Sequence, residues 1–274
     1  MTNRALSFDS RADSFFNGHP GYPEELVDEI LKYSGFPKGG RMLEIGAGSG
    51  QATLPFAKRG IGITAVEPGQ NMVDLARPLF AGQTHVDFIV NTFDQWPLEK
   101  EAYDLIISAR ALHWVHPKLR FSKTADALRD QGCLATFRNV QLPGNQPLDL
   151  EIQKLIQRYR PMPKIRPATE MEIQFMKTKH FGPVEKKIIQ WEVVRDAFSY
   201  VEAQKVRLEY HKLPEHQRAE LFSAMHQAIL GHGGVITQKY ETVLFIGRKR
   251  KGSSWLQRLL YPRPLKEGQM KDWA

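Results

Sequence analysis

The chain has 274 residues, 42% of them hydrophobic, enough to bury a sizeable core around one elaborated α/β domain. Its formal net charge is +8, but residues 248–274 hold eight Lys/Arg against two acids, so the basicity belongs to a tail and no nucleic-acid partner is expected of the fold itself. There is no run of about 18 apolar residues, no apolar signal core at the N-terminus, and one cysteine, Cys133, in an apolar run; a disulfide framework is excluded, no membrane span and no secretion are expected, and a cytoplasmic protein is expected.

Residues 1–20 read as irregular, with aromatics at Phe8, Phe15 and Phe16. His19-Pro20-Gly21-Tyr22-Pro23 is a turn, and Pro23 or Glu24 opens a helix to about Tyr33 with Leu26, Val27, Ile30 and Leu31 on one face. After a loop at 35–40 the elements alternate. Strands are predicted at 41–46, 61–67, 86–91, 103–109 and 132–140, and helices at 50–59, 70–80 and 117–129. The apolar runs Ile61–Val66 and Leu105-Ile106-Ile107 are continuous rather than alternating, as strands covered on both faces should be. From Pro143 the pattern loosens into a proline-containing insertion over 144–180 on the sheet's C-terminal edge. A strand at 184–194, helices at 196–210 and 215–230, and a last strand at 235–247 complete the chain. The expected architecture is a Rossmann-like, mostly parallel sheet of seven strands, with helices on both faces and a helical cap from about 144–180 and 195–232. The domain is expected to span 1–250, with 251–274 as a basic extension. Trp255, Leu256, Leu259 and Leu260 stand beside basic residues there, a pattern that suits either a frayed, solvated tail or a short helix touching an anionic membrane or a partner.

The chemistry concentrates at Met42–Gly50 (MLEIGAGSG). A buried strand runs into three alternating glycines, Gly46, Gly48 and Gly50, and then a helix, which lets a ligand lie against backbone amides. Glu67, ending the second strand, can accept hydrogen bonds from a ribose diol. The third glycine stands one place too early for a Gly-x-Gly-x-x-Gly dinucleotide fingerprint, and no phosphate loop ending Gly-Lys-Ser/Thr is present. Glu44, just before the first glycine, suits a cationic ligand such as an α-amino group better than a pyrophosphate, although a carboxylate beside a turn also explains it.

From about Phe8 to Val140 the chain resembles the class I S-adenosylmethionine-dependent methyltransferases. The resemblance rests on Leu43–Gln51 (LEIGAGSGQ), Val66-Glu67-Pro68, Asn91–Pro97 (NTFDQWP) and Tyr103–Ser108 (YDLIIS). Ala111–Val115 (ALHWV) and His19–Pro23 (HPGYP) are similar to a subgroup that includes trans-aconitate and juvenile hormone acid methyltransferases. That subgroup usually carries Arg where this chain has His19. The resemblance implies S-adenosylmethionine as cofactor, with Glu44, Gly46, Gly48, Gly50 and Gln51 around its methionine part. It puts Glu67 and Pro68 at the ribose, Met72, Phe93 and Asp94 around the adenine, and Ala109 after the fourth strand. Met72 reads equally well as a helix-face core residue. His19, Tyr22, Arg110 and Trp114 are the expected acceptor pocket. His113 is the candidate base or hydrogen-bonding group, and a buttressing role explains His113-Trp114 as well. The implied reaction is methylation of a small molecule, on oxygen and carboxylate among the options. An RNA or protein methyltransferase recruiting its target through the tail is the second reading, and a non-catalytic cofactor-binding protein the third. Against base methylation, strand 103–109 ends Ser-Ala-Arg-Ala, with no Asn/Asp-Pro-Pro-Tyr. No cluster has metal-ligand spacing.

Overall fold

The centre of the sheet is β1 (Arg41–Ile45), whose last four residues are all buried. It pairs in parallel with β2 (Gly62–Glu67) on one side and β4 (Tyr103–Ala109) on the other. The computed structural model describes residues 20–159, 169–205, 207 and 210–251. His19, the N-terminal aromatics, residues 160–168 of the expected insertion and the tail from 252 onward therefore lie outside the described residues.

Seven strands form one sheet in the order β3-β2-β1-β4-β5-β7-β6. Here β3 is Val86–Val90, β5 Leu128–Gln141, β6 Phe181–Asp196 and β7 Val235–Lys249. Only β7 runs against its neighbours. Helices α1 (Glu24–Ser34), α2 (Thr53–Ala57) and α3 (Gln70–Ala76) cover one face, packing Leu26, Ile30, Phe56 and Val73 on Met42, Leu105 and Ala135. The other face is covered by α4 (Pro117–Ala127) and α6 (Glu170–Lys177), through Phe121 and Phe175. A third cluster joins α5 (Pro147–Gln157), α7 (Ala197–Lys205) and α8 (Glu215–Gly231) around Leu155, Tyr200 and Met225. Among the described residues, no helix is long and apolar enough to cross a membrane.

Several boundaries differ from the pattern-based expectation, each for a local reason. The helix expected at 50–59 shrinks to α2, because its N-terminal residues are spent on the glycine turn. The helix expected at 70–80 ends at Ala76 and tightens into a 3₁₀ turn, Arg77–Phe80, containing Pro78, which has no amide to continue the ladder. The helix expected to reach 129 stops at Ala127, and β5 begins at Leu128, four residues early. Strands β6 and β7 are longer than expected because they pair with each other to their far ends, Asp196 opposite Val235. The segment 144–180 contributes one helix to the third cluster and one, α6, to the sheet's face. Helix α6 is held there by a Thr169/Glu172 capping box and by Arg138 of β5, whose Nε donates to Glu172 at 2.7 Å.

Candidate active site

The strand order changes direction between β1 and β4, and in open α/β sheets a ligand crevice forms at that switch point, beyond the strands' C-terminal ends. The motif residues converge there. The glycine turn follows β1, Glu67-Pro68 ends β2, Asn91–Pro97 follows β3, and Ala109–Trp114 follows β4.

Gly46, Gly48 and Gly50 all have positive φ, at 75°, 57° and 86°. At Gly46 the need is also spatial, since an added Cβ would lie 2.2 Å from the Cβ of Ala111. At Gly50 it would lie 2.6 Å from the ring of Phe80. The β1 turn is therefore pressed against the loop after β4 on one side and the 3₁₀ turn after α3 on the other. The Gly46 amide donates to Val66 O at 2.8 Å. Glu67 Oε2 accepts from the Gly48 amide and Oε1 from the Gly69 amide, both at 2.9 Å, so one carboxylate clamps the ends of β1 and β2 together.

Glu44 lies beneath this turn, fully buried. Its Oε2 accepts from Thr53 Oγ1 at 2.6 Å, and its Oε1 is sealed from solvent with no hydrogen-bond partner. Burial pushes its pKa up to about 8; the Thr53 hydroxyl opposes the rise and the nearby Glu67 adds to it. Tyr22 covers the turn from the N-terminal side, its ring edge-on to Phe137 at 4.8 Å. Burial raises its phenol above the usual value, Arg110 pulls it back and Glu44 raises it. Arg110 itself is exposed and left-handed, at φ 55°, anchored by its amide to Phe137 O at 3.1 Å. Gln51 Oε1 accepts from Ser49 Oγ at 2.9 Å.

On the β3 side, Met72 is buried on α3, and Phe93 is buried with its ring stacked toward Trp96. Asp94 Oδ1 accepts from the His116 amide at 3.1 Å, which ties the loop after β3 to the loop after β4. Lys123 of α4 organises this edge: its Nζ donates to the carbonyls of Phe93, Asp94 and Trp96 at 2.7, 3.2 and 2.6 Å. Nothing local in the sequence marks Lys123, a lysine on a helix face. Lys123→Met keeps the stem and strands three carbonyls, which costs about 1–3 kcal/mol. For a chain of this size that is a melting temperature lower by roughly 2–8 °C, readable by calorimetry.

His113 and Trp114 sit in a 3₁₀ turn, Leu112–Trp114, with ring centroids 4.6 Å apart. His113 is partly open to solvent, and its pKa is lowered, first by desolvation of the covered part of the side chain and then by Arg120 and Arg110. It is neutral at neutral pH and free to accept a proton. Arg120, nearly buried on α4, holds the turn by donating Nη2 to His113 O at 2.9 Å and to Val115 O at 3.0 Å.

Residues 42–132 match the family model described as a methyltransferase domain. This segment, about a third of the chain, is similar to that domain. An uncharacterized methyltransferase of Mycobacterium tuberculosis is 31% identical over 137 residues, which is 50% of this chain and 54% of that protein. A probable S-adenosylmethionine-dependent methyltransferase of Saccharomyces cerevisiae is 32% identical over 135 residues, 46% of this chain and 44% of that protein. The chain thus spans about half the length of the curated relatives it matches. The solved structure of a putative type II methyltransferase from Anaeromyxobacter dehalogenans superposes with a TM-score of 0.60 at 19% identity, over 84% of this chain and 97% of that one. That likeness speaks for the fold; the matched segment holds β2, β3 and β4 whole and β1 from Met42 on.

Proposed function

We propose that the protein transfers the methyl group of S-adenosylmethionine to an oxygen of a small-molecule acceptor. The observation that carries this reading is Glu44: a fully buried carboxyl with an unpartnered oxygen, directly under a turn of three left-handed glycines at the sheet's switch point. Ionising such a buried carboxyl is costly unless a cation comes near, so the site favours a cationic ligand. The donor's α-ammonium and sulfonium supply that cation, and the site offers no arginine or lysine on the glycine turn that would favour a pyrophosphate. The family match and the yeast relative's name support the same donor.

In this reading Gly46, Gly48, Gly50 and Gln51 pass along the methionine part, while Glu44 acts on its ammonium through the turn. Glu67, with Pro68 beside it, accepts from the ribose hydroxyls. Met72, Phe93 and Asp94 border the adenine, and Ala109 floors the crevice. Bound S-adenosylmethionine supplies a methyl group already activated by positive sulfur. The chain's task is to bring an acceptor oxygen into line behind that methyl and to exclude water, a positioning effect worth roughly 7–11 kcal/mol in favourable cases. The acceptor oxygen forms the new bond to carbon as the carbon–sulfur bond breaks, and its electron pair leaves on sulfur. Tyr22, Arg110, His113 and Trp114 border the acceptor. A carboxylate acceptor needs no base; for a hydroxyl, neutral His113 takes the proton. The cap formed by α5, α7 and α8 selects the acceptor, and the subgroup of small-acid methyltransferases is the nearest model for it. The domain spans 1–250, with 251–274 as an extension.

Calorimetry with S-adenosylhomocysteine tests the donor site. Wild type should bind at micromolar or better, and Glu67→Ala should weaken binding by about tenfold to a hundredfold, because hydrogen bonds to a charged acceptor are worth about 1.5–3 kcal/mol each. Unchanged affinity in Glu67→Ala would remove Glu67 from the site. Screening small carboxylic acids and phenols for methyl transfer tests the acceptor class.

A further inference from the structure

An exposed strand edge offers a row of unpaired amides and carbonyls to any other strand, and folds ordinarily blunt it with shortness, proline, a bulge or a cover. The two edges of this sheet differ in that respect. At one, β3 has only five residues. At the other, β6 is blunted only at its start, where Pro183 stands beside a register shift between Phe181 and Val184. From Val184 to Asp196 it runs in unbroken register with β7, roughly 40 Å of strand. Among the described residues, no strand pairs with the outer side of β6, and residues 184–195 make no backbone bond outside the β7 ladder.

This edge carries apolar surface as well as open backbone. Lys186 and Ile188 register with Phe245 and Val243, so alternation puts Lys186, Ile188, Gln190, Glu192, Val194 and Asp196 on the face that α4 and α6 cover elsewhere. All six are exposed. Among the described large apolar residues the three most exposed are Phe198 at 69%, Val194 at 64% and Val235 at 52%, and Ile188 stands at 49%. Val235 is registered with Asp196 and Phe198 follows two residues after it, so all four lie along the same stretch.

We propose that β6 pairs antiparallel with β6 of a second copy, about a two-fold axis at Trp191, which makes the protein a dimer with one sheet continuous through both copies. The contact is isologous, so it closes at two copies and leaves neither β6 edge open. In such a pair the faces of the two copies match only when the axis falls on a residue. With the axis at Trp191, Lys186 stands opposite Asp196, Ile188 opposite Val194 and Gln190 opposite Glu192, and each pair occurs twice. Those are an ion pair, an apolar pair and a hydrogen-bonding pair, the combinations that stabilise neighbouring strands. An axis at Gln190 instead sets Ile188 against Glu192 and Lys186 against Val194, and one at Glu192 sets Ile188 against Asp196. On the other face Lys187 comes opposite Arg195, but each is drawn to its own chain: Lys187 to Glu29, and Arg195 Nε to Gln238 Oε1 at 3.1 Å. Trp191, on the axis, leans back over β7, its ring stacked on Tyr240 at 5.1 Å and its Nε1 donating to Thr242 Oγ1 at 2.9 Å.

Sedimentation velocity over a dilution series of the full chain reads the dimer directly, and independently of methyl transfer. Wild type should be a dimer at tens of micromolar. Ile188→Glu and Val194→Lys each set a charge against an apolar residue twice per dimer, and each should raise the dissociation constant by about tenfold or more. Combined in one chain, the two new charges face each other across the axis, so the double variant should regain most of the wild-type affinity. That recovery is specific to the register, and a variant that merely misfolds cannot produce it. A monomeric wild type would overturn the proposal; if truncation after Lys251 then gave a dimer, the chain's own tail would be the occupant of this edge. A dimer indifferent to both single substitutions, or a double variant as weak as the singles, would overturn it too, by putting the contact elsewhere or in another register.

Discussion

Gly46→Ala is expected to abolish S-adenosylhomocysteine binding and to destabilise the fold by about 3 kcal/mol, the sum of overpacking and left-handed backbone strain. The reason is geometric. The new Cβ would stand 2.2 Å from the Cβ of Ala111, on a backbone at φ 75°. Neither atom is the far end of a flexible chain, so the β1 turn and the loop after β4 must separate. That separation opens the crevice between β1 and β4, and it displaces the 3₁₀ turn carrying His113 and Trp114. Gly48→Ala is the control. It has φ 57°, but its added Cβ meets nothing within 4 Å, so only the backbone cost of about 1 kcal/mol applies. Thermal melts and calorimetry on both variants separate the contributions. Equal effects at the two positions would sink the close-approach argument.

Binding of S-adenosylhomocysteine at pH 7 is expected to release about one proton, and Glu44→Gln should eliminate the release. In the free protein the Glu44 pKa of about 8 leaves the carboxyl mostly protonated at pH 7. An ammonium held over the turn favours the charged form and drives the proton off. Calorimetry in buffers of different ionisation enthalpy reads this directly. The same group makes a stability prediction. Its folded pKa is raised above the unfolded value, so its contribution is fully present below about pH 4.5 and is lost as pH rises to about 8. Between those limits wild type should lose about 3 kcal/mol more than Glu44→Gln, a figure that scales from 1.36 kcal/mol per pKa unit with allowance for relaxation. Urea unfolding of both proteins at pH 5 and pH 8.5 measures it. Parallel pH profiles would show that Glu44 does not carry a proton in the folded state.

Much of the fold was legible because its signals are local. Continuous apolar runs marked the covered strands, and Gly35, left-handed at the end of α1, closed the first helix where the pattern stopped. The boundaries that moved did so where one element's end is set by its neighbour. Leu128–Gln131 carries no strand pattern of its own, yet it is drawn into β5, with Leu128 paired to Tyr103. Glu67 was legible as a carboxylate at a strand end, but its two amide bonds, to Gly48 and Gly69, belong to a contact between two loops.

By itself the sequence determined the alternation of strands and helices, the glycine turn, and the acids on either side of it, because each depends on residues a few places apart. Only the tertiary structure decided what those residues face. It sealed one oxygen of Glu44 from every partner, placed Ala111 where only a glycine fits opposite it, and brought Lys123 across to three carbonyls some thirty residues away. Such contacts arise from the crossing of elements in space, and no periodicity along the chain encodes them.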